Sequence, residues 1–297
     1  DNNVNRTTNT RVIGGGWGEI TFMDGLTFKT QAGLDIANVR DYMYWDTESG
    51  DGYGYGGLIE EVNSTYATWN WQNVLNFTRT FNSVHNLTAT AVQEYTHSET
   101  EYMDGSVYEL SDPFFSEHII SNTFGQKDVG GWKSENGLAS YMFRANYNYD
   151  SKYYIGASIR YDGLSKLPKD TRWGTFWGAS AAWRLSREKF WTEAPVNEWF
   201  NDLRLRASYA TIGNSALGSD YPYLGTYGAK LVGPMAGIAW NVMGNNNLKW
   251  ETTETFDIGL DGALFNNRMT FEIAYWQKNS KDLVLRVPTP PTMRSEE

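Results

Sequence analysis

The chain has 297 residues, no cysteine, a formal net charge of −10, and 13 Trp, 19 Tyr, 14 Phe and 29 Gly, a balance that favours strands over helices. The lack of cysteine excludes a disulfide framework, a thiolate metal site and a cysteine nucleophile, and the acidic balance argues against nucleic acid, which calls for clustered Lys and Arg. No run of roughly 18 apolar residues exists, which excludes a membrane-spanning helix but not a membrane barrel, whose strands touch lipid only at alternate residues.

The opening DNNVNRTTNT has neither a basic start nor an apolar core and reads as a mature chain or a fragment, not as a signal peptide. A first strand is predicted over about residues 11–22, followed by a short link at Met23–Gly25 and a second strand from Leu26, with Phe28, Ala32, Leu34 and Ile36 on one face. Beyond a long link, Asn38–Tyr66, come strands from Ala67 (Trp69, Trp71, Leu75, Phe77) and from Asn86 (Leu87, Ala89, Ala91, Tyr95), joined by a short link at Thr80–Val84. A second long link, Thr96–Gly137, leads to the clearest hairpin. Ala139, Tyr141, Phe143, Ala145, Tyr147 and Tyr149 alternate with polar residues, Asp150–Lys152 turns, and Tyr153, Ile155, Ala157, Ile159 and Tyr161 alternate with Tyr154, Gly156, Ser158, Arg160 and Asp162. Such period-two patterning puts each set on its own face.

The same grammar recurs in Trp173–Arg184 and Leu203–Tyr209, separated by a link at Ser186–Asp202 in which Arg187–Trp191 has room for one helical turn. A third long link, Gly213–Leu248, precedes a last hairpin, in which Trp250, Phe256, Ile258 and Leu260 share a face and Phe265–Asn267 turns into Met269, Phe271, Ile273 and Tyr275. The expectation is about ten antiparallel strands in five hairpins. Short turns at one end and long links at the other are the asymmetry of outer-membrane barrels. Ser186–Asp202, long on the turn side, and Gly163–Arg172, short on the other, depart from it. Aromatic residues gather near the strand ends, Tyr147, Tyr149, Tyr153 and Trp183 at one and Trp69, Trp71, Tyr161, Trp173, Tyr209 and Tyr275 at the other, in the manner of two interfacial girdles. The competing architecture is a soluble β-sandwich.

Four stretches carry a family resemblance: FNSVHNLTATAVQEY, RYDGLSKLPKDTRWGTFWGASAAWRLSREKFW, LRLRASYATIGN and NNNLKWETTETFDIGLDGALFNNRMTFEIAYWQKNSKDLVL. Together they resemble the barrel region of SusC/RagA-type TonB-dependent importers of the Bacteroidetes. The resemblance implies an all-β fold, an antiparallel transmembrane segment of about ten strands within a twenty-two-stranded, plugged barrel. It also implies that residues 1–297 are the later part of that barrel, with the plug and terminal strands outside this chain. The implied setting is the bacterial outer membrane. The implied activity is TonB-dependent import of a glycan oligomer or peptide, with a SusD-like surface lipoprotein on the loop side and the TonB complex engaged through an N-terminal region outside the chain. A passive porin and a secreted binding or adhesion β-protein are the alternatives.

Alternation places Arg144, Arg160, Asp162, Arg184, Arg204, Arg206, Asp257 and Glu272 on the polar face, expected to line the lumen and either hold a plug or solvate a pore. Tyr42, Trp45, Asp46, Tyr53, Tyr55, Tyr102 and Phe114 fall in the long links, where they are candidates for contact with substrate or lid. No cofactor, metal or catalytic residue is expected. The three histidines, His85, His97 and His118, lack ligand spacing; GYGYGG at Gly52–Gly57 has no following Lys-Ser/Thr; and no carboxylate pair is marked out as a glycosidase acid and base.

Overall fold

The computed structural model describes residues 3–48, 50–110, 119–121, 123–232 and 235–285, and Phe114 and His118 lie outside these. The described residues form twelve strands: β1 (Val4–Met23), β2 (Leu26–Trp45), β3 (Leu58–Phe81), β4 (His85–Tyr108), β5 (Lys127–Tyr149), β6 (Tyr153–Leu164), β7 (Trp173–Arg184), β8 (Phe200–Asn214), β9 (Thr226–Val232), β10 (Met235–Val242), β11 (Glu251–Leu264) and β12 (Met269–Lys281). Ten make one sheet in the order β1-β2-β3-β4-β5-β6-β7-β8-β11-β12, and β9 and β10 pair separately. Among the described residues no helix is long and apolar enough to cross a membrane.

Alternation alone settles which face each residue of the later strands takes, and the registers agree with it. Ala145, Ala157 and Ala179 lie directly opposite one another across β5, β6 and β7, and Ala179 faces Tyr209 of β8. Tyr209 in turn faces Phe256 of β11. The turns that hold these registers have the residues their dihedrals demand. Asp150 and Ser151 both have positive φ (49° and 54°), as do Asn82 and Ser83 (47° and 61°), the left-handed pair that matches strand twist in a two-residue hairpin.

Three expectations are corrected. The first strands are far longer than about ten residues: β3 and β4 each run 24 residues, so most of Asn38–Tyr66 and Thr96–Gly137 is strand. The reason is a change of surface. On β4 the face of Leu87, Ala89, Ala91 and Tyr95 goes on as His97, Glu99 and Glu101. Apolar periodicity ends there, but the strand continues, tied to its neighbours by Thr68–Ser98 (3.0 Å) and Lys133–Glu99 (2.7 Å). Second, the Gly213–Leu248 link contains the β9–β10 hairpin, with Met235 opposite Val232. Third, Trp250 leaves the apolar face. It is buried, its Nε1 donates to Arg172 O at 2.9 Å, and its ring meets Phe176 edge-on at 5.2 Å.

Backbone contacts divide the chain into two units. One comprises residues 1–17, 31–71 and 96–137, the other residues 18–30, 72–95 and 138–297. The first has a small core of Tyr44, Ile59 and Val107, flanked by Tyr42, Leu110 and Ile120. The second has Leu164, Leu167, Phe176, Leu217 and Trp250 at its centre. Gly213 makes that second core possible, because a Cβ there would overlap the Phe176 ring.

Candidate functional site

The two faces of the second unit are inverted relative to a soluble protein. Ile155 and Ile159 are 58 % and 51 % exposed, and Tyr153 and Tyr161 on the same face are exposed too, whereas Asp162 on the other face is 6 % exposed. Apolar side chains outward and polar side chains sheltered is the arrangement that suits hydrocarbon on one side and water on the other. A soluble sandwich would bury the first set.

The exposed apolar face is bounded by rings. At the turn end Tyr149, Tyr153 and Trp183 stack in a row at 6.3 and 6.4 Å. His85 lies 5.0 Å from Tyr149 and shares a 2.7 Å hydrogen bond with the Tyr147 hydroxyl. At the other end Trp173 stacks on Tyr161 at 4.7 Å, and Trp177 meets Tyr209 at 5.3 Å. Between the rows run the small and aliphatic residues around Ala157. Amphipathic rings at both ends of an apolar band are how a membrane protein meets its two interfaces.

The polar face carries all eight charged residues singled out by alternation; Asp162 is buried, Arg160, Arg184, Arg206 and Asp257 are half-buried, and Arg144, Arg204 and Glu272 are exposed. Arg184, Arg204, Asp261 and Glu272 form one straight row across β7, β8, β11 and β12. Like charges at Arg184 and Arg204 are relieved sideways. Arg184 makes a two-pronged bond to Asp202 (2.7 and 2.8 Å), and Arg204 reaches Asp261 at 2.7 Å. Arg206 is the hub: Nη1 donates to Asp257 (2.5 Å), Nε to Asp261 (3.3 Å) and Nη2 to Glu272 (2.5 Å). Gly259 lies directly opposite Arg206, and a Cβ there would strike the guanidinium. Farther along, Arg160 holds Asp162 at 2.7 Å and donates to Ser140 Oγ at 2.9 Å, while Arg144 sits opposite Ser158.

Beside the Arg206 hub a hollow of about 490 Å³ opens on this face, bordered by Asn86, Asn146, Asn148, Tyr154, Ser180 and Ser208. Amides and hydroxyls of this kind offer both donors and acceptors. Asp202 falls in a predicted link, yet it shares the parity of Arg204 and Arg206, the one signal in the sequence that points to it.

In the first unit the link residues divide into tucked and open. Asp46 is buried, with its N–H bonded to Asn3 Oδ1 at 2.8 Å, and Tyr42 packs on the small core with the Arg6 guanidinium 5.3 Å from its ring centre. Tyr102 stacks on Trp132 at 5.7 Å. Trp45, Tyr55 and Tyr108 form a chain of rings at 6.4 and 5.7 Å, and Tyr53, 72 % exposed, is the most open of these candidates among the described residues. The structure also brings together His97, Glu99 and Glu135, with ligand atoms within 4.8 Å of one another, a grouping across neighbouring strands that no linear spacing reveals. Lys133 pairs with Glu99 there at 2.7 Å.

Comparison with known proteins matches residues 1–296 to a family described as TonB dependent receptor-like, beta-barrel. TonB-dependent receptor P39 of Formosa agariphila is 31 % identical over 269 residues, 90 % of this chain and 25 % of that protein. TonB-dependent receptor SusC of Bacteroides thetaiotaomicron is 32 % identical over 171 residues, 55 % of this chain and 17 % of that one. The structure of the RagAB peptide transporter superimposes with a TM-score of 0.86 at 26 % identity, covering 98 % of this chain and 32 % of that chain. The chain thus spans about a quarter of the first of these relatives and about a third of the superimposed structure.

Proposed function

Because this chain belongs to the TonB dependent receptor-like β-barrel family, we propose that it forms part of the barrel wall of an outer-membrane importer that draws a peptide or a glycan oligomer inward with energy delivered through TonB. The observation that carries this reading is the pairing of an exposed apolar face at Ile155 and Ile159 with a sheltered, ion-paired face at Asp162. One face meets lipid, and the other lines the lumen of a larger, twenty-two-stranded barrel. Arg144, Arg160, Asp162, Arg184, Arg204, Arg206, Asp257 and Glu272 are lumen groups in this reading. The Arg206 hub and the hollow beside it supply hydrogen bonds to a plug. Tyr53 and Tyr55, with Trp45 behind them, belong to the rim that meets substrate or a SusD-like lipoprotein lid. Likeness to the RagAB peptide transporter over 98 % of the chain makes peptide the first cargo to test.

The test is uptake of labelled oligopeptides and of labelled glycan oligomers by cells with the complete gene deleted, and by cells with the gene intact but TonB inactivated. Loss of uptake of one cargo in both strains is expected. Uptake that survives TonB loss but not gene deletion would make the protein a passive porin. Recovery of the protein without detergent would make it a secreted binding protein.

Orientation is tested separately. Two strands, β3 and β4, separate the connection around Tyr53 from the one after Tyr108, and four strands, β5 to β8, separate the latter from the connection that holds β9 and β10. Antiparallel pairing therefore puts all three at one end. A tag beside Tyr53 is expected to be labelled on intact cells, and one at Ser151 only after the membrane is opened. The reverse pattern would invert the topology. Gly105 is a poor tag site, because it is buried inside β4.

A further inference from the structure

The connection between β7 and β8 is long at an end where the other connections are tight turns. It is also fastened to the apolar face. Glu188 Oε1 accepts the Tyr153 hydroxyl at 2.5 Å and Trp183 Nε1 at 3.1 Å, and both donors belong to the stacked row of rings. Those two hydrogen bonds, with the charge of Lys152 nearby, hold the Glu188 carboxyl below the usual range despite some desolvation. Farther along, Trp191 packs edge-on against Phe200 at 5.6 Å, and Phe200 against Phe271 at 5.8 Å. Phe271 lies opposite Gly262, which lies opposite Leu203, the parity of the apolar face. Ser186 at the start of the connection is buried and donates to Asp202 on the polar face at 2.5 Å, but the Glu188 and Trp191 contacts lie on the apolar side of the sheet.

Its surface is unusual for a turn in water. Phe190 and Trp199 are 58 % and 51 % exposed, and Phe265 in the neighbouring β11–β12 turn is exposed beside them, its N–H donating to Trp199 O at 2.8 Å. Arg187 and Lys189, both exposed, precede Phe190 in sequence, and Glu193 and Glu198 farther along are exposed too, charges that belong in a polar layer and not in hydrocarbon. Rings beside cations, at the depth of an aromatic girdle, match the headgroup boundary of a membrane.

We propose that residues 185–199 form an interfacial anchor that lies in the phospholipid headgroup layer at the turn end of the barrel, with the Phe190 and Trp199 rings at the acyl boundary and Arg187 and Lys189 on anionic headgroups. The occupant is lipid because Glu188 ties this surface directly to Tyr153 and Trp183 of the stacked row, which in the importer reading already marks the membrane interface. Short periplasmic turns in such barrels place it in the inner leaflet. The anchor fixes the depth of the strand ends, and it is independent of cargo.

The chain has no cysteine, so one introduced thiol can be addressed in the full-length receptor once thiols elsewhere in that receptor are removed. Phe190→Cys and Trp199→Cys, each labelled with an environment-sensitive fluorophore and reconstituted in phosphatidylethanolamine–phosphatidylglycerol vesicles, are expected to be quenched several-fold more by spin-labelled lipid than Tyr53→Cys. Heat-modifiable gel mobility confirms that each variant is a folded barrel. Charge removal by Arg187→Gln with Lys189→Gln is expected to weaken the quenching in vesicles containing phosphatidylglycerol and not in neutral ones. Quenching at positions 190 and 199 no greater than at 53 would overturn the anchor, and quenching indifferent to the two cations would overturn headgroup recognition. Neither readout uses import, so failure here leaves the importer reading intact, and the converse holds.

Discussion

Arginine in place of Ala157 is expected to destabilise the assembled barrel by about 2–4 kcal/mol, the depth-dependent cost of a cation on the lipid face near the midplane, whereas isoleucine there is expected to be tolerated. Ala157 lies between Ala145 and Ala179, flanked along its own strand by the exposed Ile155 and Ile159. A larger aliphatic side chain at this position projects into fluid lipid and meets no packed neighbour. Arginine must either shed its hydration or drag water and headgroups inward. Denaturant titration of the full-length receptor in bilayers measures both variants on one scale. Equal stability of Ala157→Ile and Ala157→Arg would mean that this face does not meet lipid, and the topology would fall with it.

Removing the Arg206 side chain is expected to destabilise the assembled barrel, because three carboxylates share its guanidinium. Arg206→Ala leaves Asp257, Asp261 and Glu272 with one cation fewer on a face where Asp257 and Asp261 are mostly sheltered. Lysine is expected to recover only part of the loss, since a point charge cannot bridge three carboxylates as the guanidinium does. A double-mutant cycle with Asp257→Asn separates lost attraction from lost packing. If the carboxylates are what Arg206 serves, Asp257→Asn costs less in the alanine background than alone. Strict additivity of the two substitutions would leave the hub without energetic content.

Face assignment was legible in the residues because a strand has a period of two, so Arg160 and Ile159 must point apart whatever else surrounds them. Turn positions were legible for a local reason too. Asp150–Ser151 and Asn266–Asn267 take left-handed dihedrals that short polar side chains accept more readily than branched ones. The rings at strand ends declared the two interfaces, since only an amphipathic ring gains from lying there.

Strand length and long-range company were decided by tertiary structure alone. The far parts of β3 and β4 read as links because the alternating apolar stripe stops there; the strands persist through pairing with their neighbours and through the small core around Ile59 and Val107, neither of which leaves a period-two signal. Parity puts Trp250 on the apolar face, but it lies just before β11 begins. Alternation no longer binds it there, and the Phe176 edge with the Arg172 carbonyl draws it inward. Asp202 meets Arg184 across 18 residues of sequence, and Glu188 meets Tyr153 across 35 and Trp183 across five. Periodicity says which way a side chain points. Which partner waits there depends on the register and course of other segments, and those follow from the pairing of the whole sheet.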